Sequence, residues 1–376
     1  MRVGDIASTV GLVAFCLSSG TLASPGRGYY RTRGHELDYT KTAEAAIDSM
    51  NQFYYDEAQG RWSPEVAWWL SGFALQDILD FMHKTGSRKY IQQARDVINA
   101  QKAPLPWWPQ GEGNFRADST DDTGWWALAL IRMFDLTDDH TYLNISIQDE
   151  QYMYKYWTSE CNGGMFQDIK NLSYKNAISN QLYMLLTASL HNRIPDDTEH
   201  LAKAIATWEW LEASGMLNSE HLFNDGLAET SDGVCYNNKG PTWTYNQGVI
   251  LGALTELHQA TKNKTYLTAA TSIASAVLSS KALSLSSILT EPCEATPEGC
   301  NNDQQIFKGI FAKHLSRLSS VLDGAPYREY LEGNARSVLE KDQGEGGLFD
   351  VGWAGPFRNG SFEKQASAVG LFVGLI

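Results

Sequence analysis

Apolar residues recur at helical spacing along almost the whole chain, and the period-two alternation that marks β-strands is scarce. A repeat runs through this pattern, because Gly72, Gly124 and Gly248 each begin an apolar helix and a tyrosine follows 18 residues after each glycine. Helical hairpins that recur in this way are typical of a toroid in which inner and outer helices alternate. The sequence therefore predicts an all-α fold, a single (α/α)6 barrel domain of six helical hairpins over residues 24–376.

The links between the predicted helices differ in length at the two ends of this barrel. The helices are predicted near residues 41–55, 65–84, 88–102, 121–136, 139–157, 174–192, 197–214, 243–262, 265–280, 303–322, 325–342 and 361–376. Links into the even-numbered helices are mostly long and carry Trp, Gly, Asn and Asp, whereas links that leave them, such as 85–87 and 262–264, are short. Long polar and aromatic loops on one rim usually carry function. We therefore expect the functional site at this rim.

Two adjacent acids and two tryptophans open the fourth predicted helix in the segment TDDTGWW. Carboxyl groups of neighbouring helical residues can point into one cleft roughly 5 Å apart, a separation that suits a retaining glycosidase. The Asp-Asp dipeptides at 138–139 and 196–197 also precede helical patterns, where acids commonly cap free N–H groups. Only the first pair has aromatic neighbours. Asp121 and Asp122 are therefore the candidate catalytic residues.

Composition and missing motifs exclude several other classes of function. The formal net charge of −14 argues against nucleic acid and anionic membranes as partners, because both are bound through basic patches. The eight histidines are scattered, and neither a His-Glu-x-x-His motif nor a cysteine-histidine cluster is present. A Gly-x-Ser-x-Gly elbow, a P-loop and a dinucleotide fingerprint are absent as well. We therefore expect no metal, no cofactor and no nucleotide, and chemistry that rests on carboxylates.

Aromatic and amide side chains at the predicted rim are candidates for binding a sugar. Aromatic faces stack on the apolar faces of sugar rings, and Asn and Gln can both donate to and accept from sugar hydroxyls. The alternatives are core packing for the tryptophans, above all for the second of each pair, and helix capping for the amides. The candidate substrate-binding residues are Trp69, Asn114, Trp125, Asn176, Asn180, Asp225, Tyr245, Asn246, Gln247 and Trp353.

The first residues and four sequence motifs indicate a secretory route. Residues 1–23 combine Arg2 with a short apolar stretch and small residues before a cleavage point after Ala23, which predicts a signal peptide. An N-terminal membrane anchor is the alternative, but the apolar run is short and interrupted by polar residues. Glycosylation sequons begin at Asn144, Asn171, Asn263 and Asn359. We therefore expect a secreted glycoprotein.

Four cysteines remain once the predicted signal peptide is removed. An even number in a secreted chain implies two disulfides, for which three pairings exist. We favour Cys293 with Cys300, which would close a short loop containing Pro and Gly, and Cys161 with Cys235. Neither pair has the spacing of metal ligands.

The rim motifs together resemble glycoside hydrolase family 76, the endo-α-1,6-mannanases and their fungal cell-wall relatives. The matching segments are TDDTGWWALA at 120–129, CNGG at 161–164, YKNAISN at 174–180, WTYNQG at 243–248, WAGP at 353–356 and QASA at 365–368. The resemblance implies an (α/α)6 barrel, a retaining mechanism, Asp121 as nucleophile and Asp122 as general acid/base. One position departs from the family pattern, because Gln167 follows Phe166 where an aromatic pair is usual. This departure concerns subsite preference more than the chemistry.

The expected function is that of a secreted endo-α-1,6-mannanase that cleaves the mannan backbone by double displacement. Its expected partner is α-1,6-linked mannan or a mannose-containing cell-wall glycan, and we expect a monomer. One alternative is a transglycosidase that moves the mannose-containing glycan of lipid-anchored proteins onto wall glucan, and another is a non-catalytic mannan-binding wall protein. Isoprenoid cyclases also use helical barrels and Asp clusters, but Asp121 and Asp122 lead into Thr-Gly-Trp with no third acid in range.

Overall fold

Twelve α-helices form two concentric rings in the computed structural model, which describes residues 37–231 and 233–376. The inner helices are α2 (Trp68–Thr85), α4 (Thr120–Thr137), α6 (Ala177–His191), α8 (Thr244–Thr261), α10 (Phe307–Val321) and α12 (Phe362–Gly374). The outer helices are α1 (Tyr39–Tyr54), α3 (Ile91–Gln101), α5 (His140–Tyr154), α7 (Glu199–Ala213), α9 (Thr265–Ser279) and α11 (Arg328–Lys341). The predicted signal peptide, residues 1–23, lies outside the described residues.

The inner ring is closed by contacts between consecutive even-numbered helices. Helix α2 packs against α4, α4 against α6, α6 against α8, α8 against α10, α10 against α12, and α12 against α2. On the outside, α5, α7 and α9 pack on the inner helices that precede them, and α1 packs on α12. The predicted (α/α)6 barrel is confirmed. Residues Asp38–Ile376 form one compact unit.

The apolar pattern explains which helices lie inside. Every residue of α12 is buried, and so is every residue of α6 from Ala177 to Leu190, as expected for helices that are apolar on all sides. An outer helix buries one stripe, which in α3 consists of Ala94, Val97 and Ile98. Within the described part of the chain, no helix is both long and apolar enough to cross a membrane.

The glycine of the repeat lies where inner helices approach closely. A Cβ atom on Gly248 would lie 2.5 Å from the Cα atom of Phe311, on the neighbouring helix α10. Such a distance is far inside van der Waals contact, so only glycine allows the two backbones to pack this tightly. Helix packing therefore requires the glycine at 248, and at Gly72 and Gly124 a Cβ atom would come within 3.1 and 3.2 Å of side chains on neighbouring helices.

The long links into the inner helices contain the few strands of the structure. Three two-stranded antiparallel hairpins are formed by β1 (Tyr55–Asp56) with β2 (Arg61–Trp62), β3 (Leu227–Glu229) with β4 (Cys235–Asn237), and β5 (Ser284–Leu285) with β6 (Ile288–Leu289). These strands are too short to give an alternating pattern, so the sequence did not predict them. The helix predicted to begin at 303 instead starts with a 3₁₀ turn, Asp303–Ile306, before α10.

Two disulfides fasten these links. The Cys161–Cys235 bond joins the α5–α6 link to strand β4 in the α7–α8 link, and its two Cα atoms lie 5.3 Å apart. The Cys293–Cys300 bond closes a short loop within the α9–α10 link. Both bonds follow the pairing that the sequence favoured. The Cys161–Cys235 bond therefore connects the α5–α6 link to the α7–α8 link at the rim.

Buried ion pairs join the inner helices in their middle and C-terminal parts. The Lys313 ammonium lies 2.8 Å from a carboxylate oxygen of Asp77 and 2.8 Å from one of Asp80. Arg132 contacts Asp80 at 3.2 Å, and Arg317 pairs with Glu256. Cations in this region also offset the negative ends of helix dipoles that point the same way. The C-terminal end of the inner ring therefore holds paired cations and anions, in contrast to the rim at the N-terminal end.

Candidate active site

The acid pair lies in the first turn of α4, on the rim formed by the long links. Ser119 is the N-cap of this helix, and its Oγ accepts a hydrogen bond from the backbone N–H of Asp122 at 3.3 Å. Asp121 and Asp122 therefore stand at the positive end of the helix dipole, which favours negative charge. Asp121 is 9% exposed, and Asp122 is half-buried.

Two side chains donate hydrogen bonds to the carboxylate of Asp121. The Ser119 hydroxyl donates to Oδ1, and the Gln167 amide donates from Nε2 to Oδ2 at 3.0 Å. Burial raises the pKa of Asp121, while these two hydrogen bonds act in the opposite direction because they stabilise the ionised form. Of the two aspartates, Asp121 is thus the one whose ionised form is stabilised by hydrogen bonds.

Asp122 has the opposite surroundings. Burial raises its pKa well above the usual range, and the negative charge of Asp121 raises it further. Asp118 and Asp303 add to this effect, which the hydrogen bond with Ser119 opposes in part. Two neighbouring carboxyl groups whose environments separate their pKa values are suited to different roles. The geometry therefore favours an ionised Asp121 beside a protonated Asp122.

Tyr245 in the first turn of α8 lies close enough to both Asp121 and Asp225 for their charges to act on its hydroxyl, and Asp225 lies in the α7–α8 link. The Tyr245 ring stacks on Phe307 with centroids 3.7 Å apart, and burial raises the pKa of its hydroxyl well above the usual range, with further contributions from Asp225 and Asp121. Asp225 accepts a hydrogen bond from the Tyr174 hydroxyl at 2.5 Å, and burial raises its pKa. The structure thus brings four of the predicted site residues together.

Asp303 is a third acid near the pair, and the sequence interpretation missed it. It lies in the 3₁₀ turn before α10, where burial raises its pKa, and its charge acts on both Asp122 and Tyr245. The expectation that no third acid is in range is therefore wrong. The available signal was its place at the end of a long polar link, next to the start of an inner helix, as Asp121 is next to the start of α4.

The predicted aromatic platform is mostly covered by protein. Trp69 donates from its indole N–H to Asp303 at 3.0 Å and stacks on Trp125 with centroids 5.2 Å apart. Trp125 is 2% exposed, and Trp353 is 1% exposed with the Lys308 ammonium 4.8 Å from its ring centroid. Both rings are packed into the protein interior, and their contact with a sugar stays a prediction. Trp69 stays a candidate through its position beside Asp303.

Two of the predicted amides hold rim links in place instead of facing the cleft. Asn180 accepts from the backbone N–H of Met165 at 2.7 Å and donates to its C=O at 3.1 Å. Gln247 accepts from the N–H of Phe223 and donates to its C=O, both at 2.8 Å. Gln365 accepts from the N–H of Phe349 at 3.1 Å and donates to the C=O groups of Ala46 and Gly347. We call these three contacts amide clamps. They correct the sugar-binding assignment of Asn180 and Gln247, whose side chains are fully buried.

The other two asparagines that were predicted to bind sugar near these helix starts, Asn176 and Asn246, differ in their surroundings. Asn176 is the N-cap of α6 and its amide oxygen accepts from the backbone N–H of Ser179 at 3.1 Å, so capping accounts for this oxygen and sugar binding through the amide N–H groups stays a prediction. Asn246 is buried in the first turn of α8, where its amide lies close enough to Asp225 to lower the pKa of that carboxyl, although neither amide atom has a partner in good hydrogen-bond geometry in the described structure. Such atoms need a ligand or water, so sugar binding by Asn246 stays a prediction.

Asn114 belongs to a turn in the α3–α4 link. Its φ angle is +50°, a left-handed conformation that asparagine adopts more readily than most residues. Its backbone N–H donates to the C=O of Lys102 at 2.7 Å. This turn accounts for the asparagine, and binding of a substrate by Asn114 remains a prediction. Within the described residues, no group of three or more His, Cys, Asp and Glu side chains is arranged to hold a metal ion.

Replacing Gln247 with alanine should lower the free energy of unfolding by about 2–4 kcal/mol, because it leaves the buried N–H and C=O groups of Phe223 without partners. The measurement is urea denaturation followed by tryptophan fluorescence. Gln148→Ala is the matched control, since this glutamine is exposed on α5. If the two variants lose the same small amount of stability, the amide clamp is not a structural element.

A ring of helical hairpins that carries two differentiated carboxyl groups at its rim has the architecture of an (α/α)6 glycoside hydrolase. The model of glycosyl hydrolase family 76 matches residues 38–376, and the chain belongs to this family. A putative mannan endo-1,6-alpha-mannosidase of Schizosaccharomyces pombe is 27% identical over 341 residues, which cover 82% of this chain and 73% of that protein. The mannan endo-1,6-alpha-mannosidase DFG5 of Candida albicans is 25% identical over 349 residues, which cover 86% and 75%.

Solved structures show the same fold. An inactive variant of the alpha-1,6-mannanase GH76A of Salegentibacter sp. HEL1_6, in complex with alpha-1,6-mannotetrose, has a TM-score of 0.79 and 22% identity, and the match covers 90% of this chain and 99% of that one. Dfg5 from Chaetomium thermophilum, in complex with glucosamine, has a TM-score of 0.78 and 18% identity, with 92% of each chain covered.

Proposed function

We propose that the chain is a secreted endo-α-1,6-mannanase that cleaves the mannan backbone with retention of anomeric configuration. The observation that carries the proposal is the difference between the two aspartates, one hydrogen-bonded as an anion and one surrounded so as to keep its proton. The names of the relatives support mannan as the substrate. The inactive Salegentibacter mannanase also supports it, because that variant has two consecutive aspartates replaced and holds an α-1,6-mannoside.

The first step of the proposed reaction forms a covalent intermediate. A carboxylate oxygen of Asp121 attacks the anomeric carbon, and Asp122 gives its proton to the glycosidic oxygen as the carbon–oxygen bond breaks. One part of the mannan chain leaves with a new hydroxyl group, and the other is held as an ester of Asp121 with inverted configuration. The proton has moved from Asp122 to the leaving chain, so Asp122 is now ionised.

The second step releases the sugar. Esterification removes the charge of Asp121, and with it one of the causes that raise the pKa of Asp122, so Asp122 can act as a base. It takes a proton from water, whose oxygen attacks the anomeric carbon and displaces Asp121. The second inversion restores the original configuration, and both aspartates return to their starting states. The charges of Asp303 and Asp225 would favour the positive charge that develops on the sugar ring in both steps.

The purified protein is expected to cleave unbranched α-1,6-mannan into short oligosaccharides. Proton NMR during the first minutes should show new reducing ends in the α configuration before mutarotation mixes the anomers. Early appearance of β ends would contradict retention, and release of mannose alone would contradict endo action. The Asp121→Asn variant is the control for contaminating mannosidases.

A second candidate keeps the site and changes the acceptor. A sugar hydroxyl could attack the glycosyl ester on Asp121 in place of water, so a transglycosidase that moves a mannose-containing glycan onto wall glucan would use the same two aspartates. Adding β-glucan oligosaccharides to the mannan assay separates the two functions, since transfer gives a glucan-linked product. Hydrolysis alone at high acceptor concentration would exclude transfer. Binding of mannan without any product would point to a non-catalytic wall protein.

We also propose that residues 1–23 are removed on secretion and that residues 24–376 act as a single monomeric catalytic domain. Four exposed sequon asparagines and two disulfides support an extracellular, glycosylated protein; the asparagines are Asn144, Asn171, Asn263 and Asn359. N-terminal sequencing of protein exported by a fungal host tests the cleavage site. A mature protein that begins elsewhere than at residue 24 would contradict it.

A further inference from the structure

Gln167 occupies the position at which the sequence departs from the family pattern. It lies in the α5–α6 link and is half-buried, and its Nε2 donates to Oδ2 of Asp121 at 3.0 Å. The other oxygen of the same carboxylate accepts from Ser119. Each oxygen of Asp121 therefore has a side-chain donor of its own, and Gln167 is the donor that comes from outside the α4 N-cap.

The backbone around Gln167 is tied directly to the residues before the acid pair. The C=O of Gln167 accepts from the backbone N–H of Thr120 at 3.0 Å, and the Thr120 hydroxyl donates to the C=O of Phe166 at 2.9 Å. On its other side, the N–H of Gln167 donates to the C=O of Tyr174 at 2.9 Å. The donor and the acceptor of the Gln167–Asp121 bond thus belong to one rigid unit, which fixes the geometry of the bond.

The backbone N–H groups of Asp121 and Asp122 at the start of α4 also favour the ionised form of Asp121, whereas the other side chains that act on the acid pair do not. Asp122 follows it on α4, Asp118 lies in the α3–α4 link, Tyr245 faces it from α8, and Asp303 faces the pair from the turn before α10. The ammonium of Lys170 is paired with Asp118. Hydrogen bonds are therefore the means by which the ionised form of Asp121 is favoured over that of its neighbour.

We propose that Gln167 is a positioning residue that fixes Asp121 as the ionised, attacking member of the pair. The inference rests on the proposed function, in which Asp121 is the nucleophile. Without the amide, the proton is shared more evenly between two adjacent carboxyl groups, and a smaller fraction of the enzyme has the reactive arrangement. The carboxylate also loses a contact that holds its plane towards the sugar.

Gln167→Met tests this role, because methionine has a similar length and cannot donate a hydrogen bond. We expect kcat to fall roughly tenfold to a hundredfold while KM changes by less than about twofold, as for loss of a hydrogen bond to a charged group in the transition state. The acidic limb of the kcat/KM profile should move to higher pH by about one unit, because the pKa of Asp121 rises when a donor to its ionised form is lost.

Gln93→Met is the matched control. Gln93 is half-buried on the outer helix α3, and its amide donates to Asn51 at 3.1 Å, so the substitution removes the same kind of hydrogen bond far along the chain from the acid pair. This variant should keep the kcat and the pH profile of the unsubstituted protein. If Gln167→Met raises KM alone and leaves the acidic limb in place, Gln167 is a substrate contact and the proposal is wrong.

A second readout does not depend on activity. Carbon-13 NMR of protein labelled at the aspartate carboxyl groups follows the titration of Asp121, whose signal is assigned by its loss in Asp121→Asn. A titration of Asp121 that moves to higher pH in Gln167→Met supports the proposal, and an unchanged titration overturns it. If the unsubstituted protein does not cleave mannan, the proposed function fails, but the titration still decides the role of Gln167.

Discussion

Replacing Asp121 with asparagine is expected to lower the turnover of α-1,6-mannan by roughly 10⁴- to 10⁶-fold, the scale seen when an enzyme loses its nucleophile. The amide cannot form the glycosyl ester on which the double displacement depends. The rate of release of reducing ends from unbranched mannan measures the loss. Asp138→Asn is the matched control, because it alters the first residue of another Asp-Asp pair, which lies exposed at the end of α4.

The fold of the Asp121→Asn variant should remain intact. The substitution removes the buried charge of Asp121 from beside Asp122, and the midpoint of thermal unfolding is therefore expected to stay the same or to rise. The Asp122→Asn variant should lose cleavage of mannan but keep the first step with an aryl α-mannoside. The good leaving group of that substrate needs no proton from Asp122. Substantial cleavage of mannan by folded Asp121→Asn would remove Asp121 from the mechanism.

Replacing Lys313 with methionine should lower the free energy of unfolding by about 3–5 kcal/mol, the range for breaking a buried ion pair. Asp77 is fully buried, its second carboxylate oxygen has no partner, and Asp80 keeps Arg132. Loss of the ammonium therefore leaves Asp77 as an uncompensated acid between inner helices. Urea denaturation at two pH values measures the effect.

The loss in Lys313→Met should depend on pH. Burial raises the pKa of Asp77 to about 6 while Lys313 lowers it, so the folded pKa lies above the unfolded one and stability falls as pH rises between them. Without Lys313 the folded pKa rises further, and the destabilisation should be larger at pH 8 than at pH 5. The double variant Lys313→Met/Asp77→Asn should recover most of it. Lys281→Met, at an exposed position, is the control, and an equal small loss in both lysine variants would contradict the prediction.

The helices were predictable because their signal is local. Inner helices are mostly apolar and outer helices carry one apolar stripe, so helical spacing located all twelve to within a few residues. The acid pair was predictable for the same reason, since Asp121 and Asp122 are neighbours in one helical turn beside aromatic residues. The link between α9 and α10 carries no such local pattern. Asp303 therefore escaped notice, because only closure of the ring brings it to the pair.

The amides were misinterpreted because their chemistry is ambiguous. Asn180 and Gln247 have the donors and acceptors that a sugar requires, and a backbone N–H with its C=O presents the same combination. The sequence does not show whether a sugar or a backbone N–H and C=O lies within reach of the amide. Trp125 and Trp353 show the same limit, since an aromatic ring near a cleft and one in the core beneath it have the same sequence signature.

The amide clamps also bear on how barrels of this kind can diversify. Asn180, Gln247 and Gln365 each fasten a link to an inner helix through backbone groups, so the contact does not depend on the side chain of the residue that is held. Segments between clamps can therefore lengthen, shorten or be replaced while the ring beneath them keeps its register. Each clamped segment of the rim can be exchanged as a unit, and transferring one such segment from one barrel to another is expected to change the substrate preference.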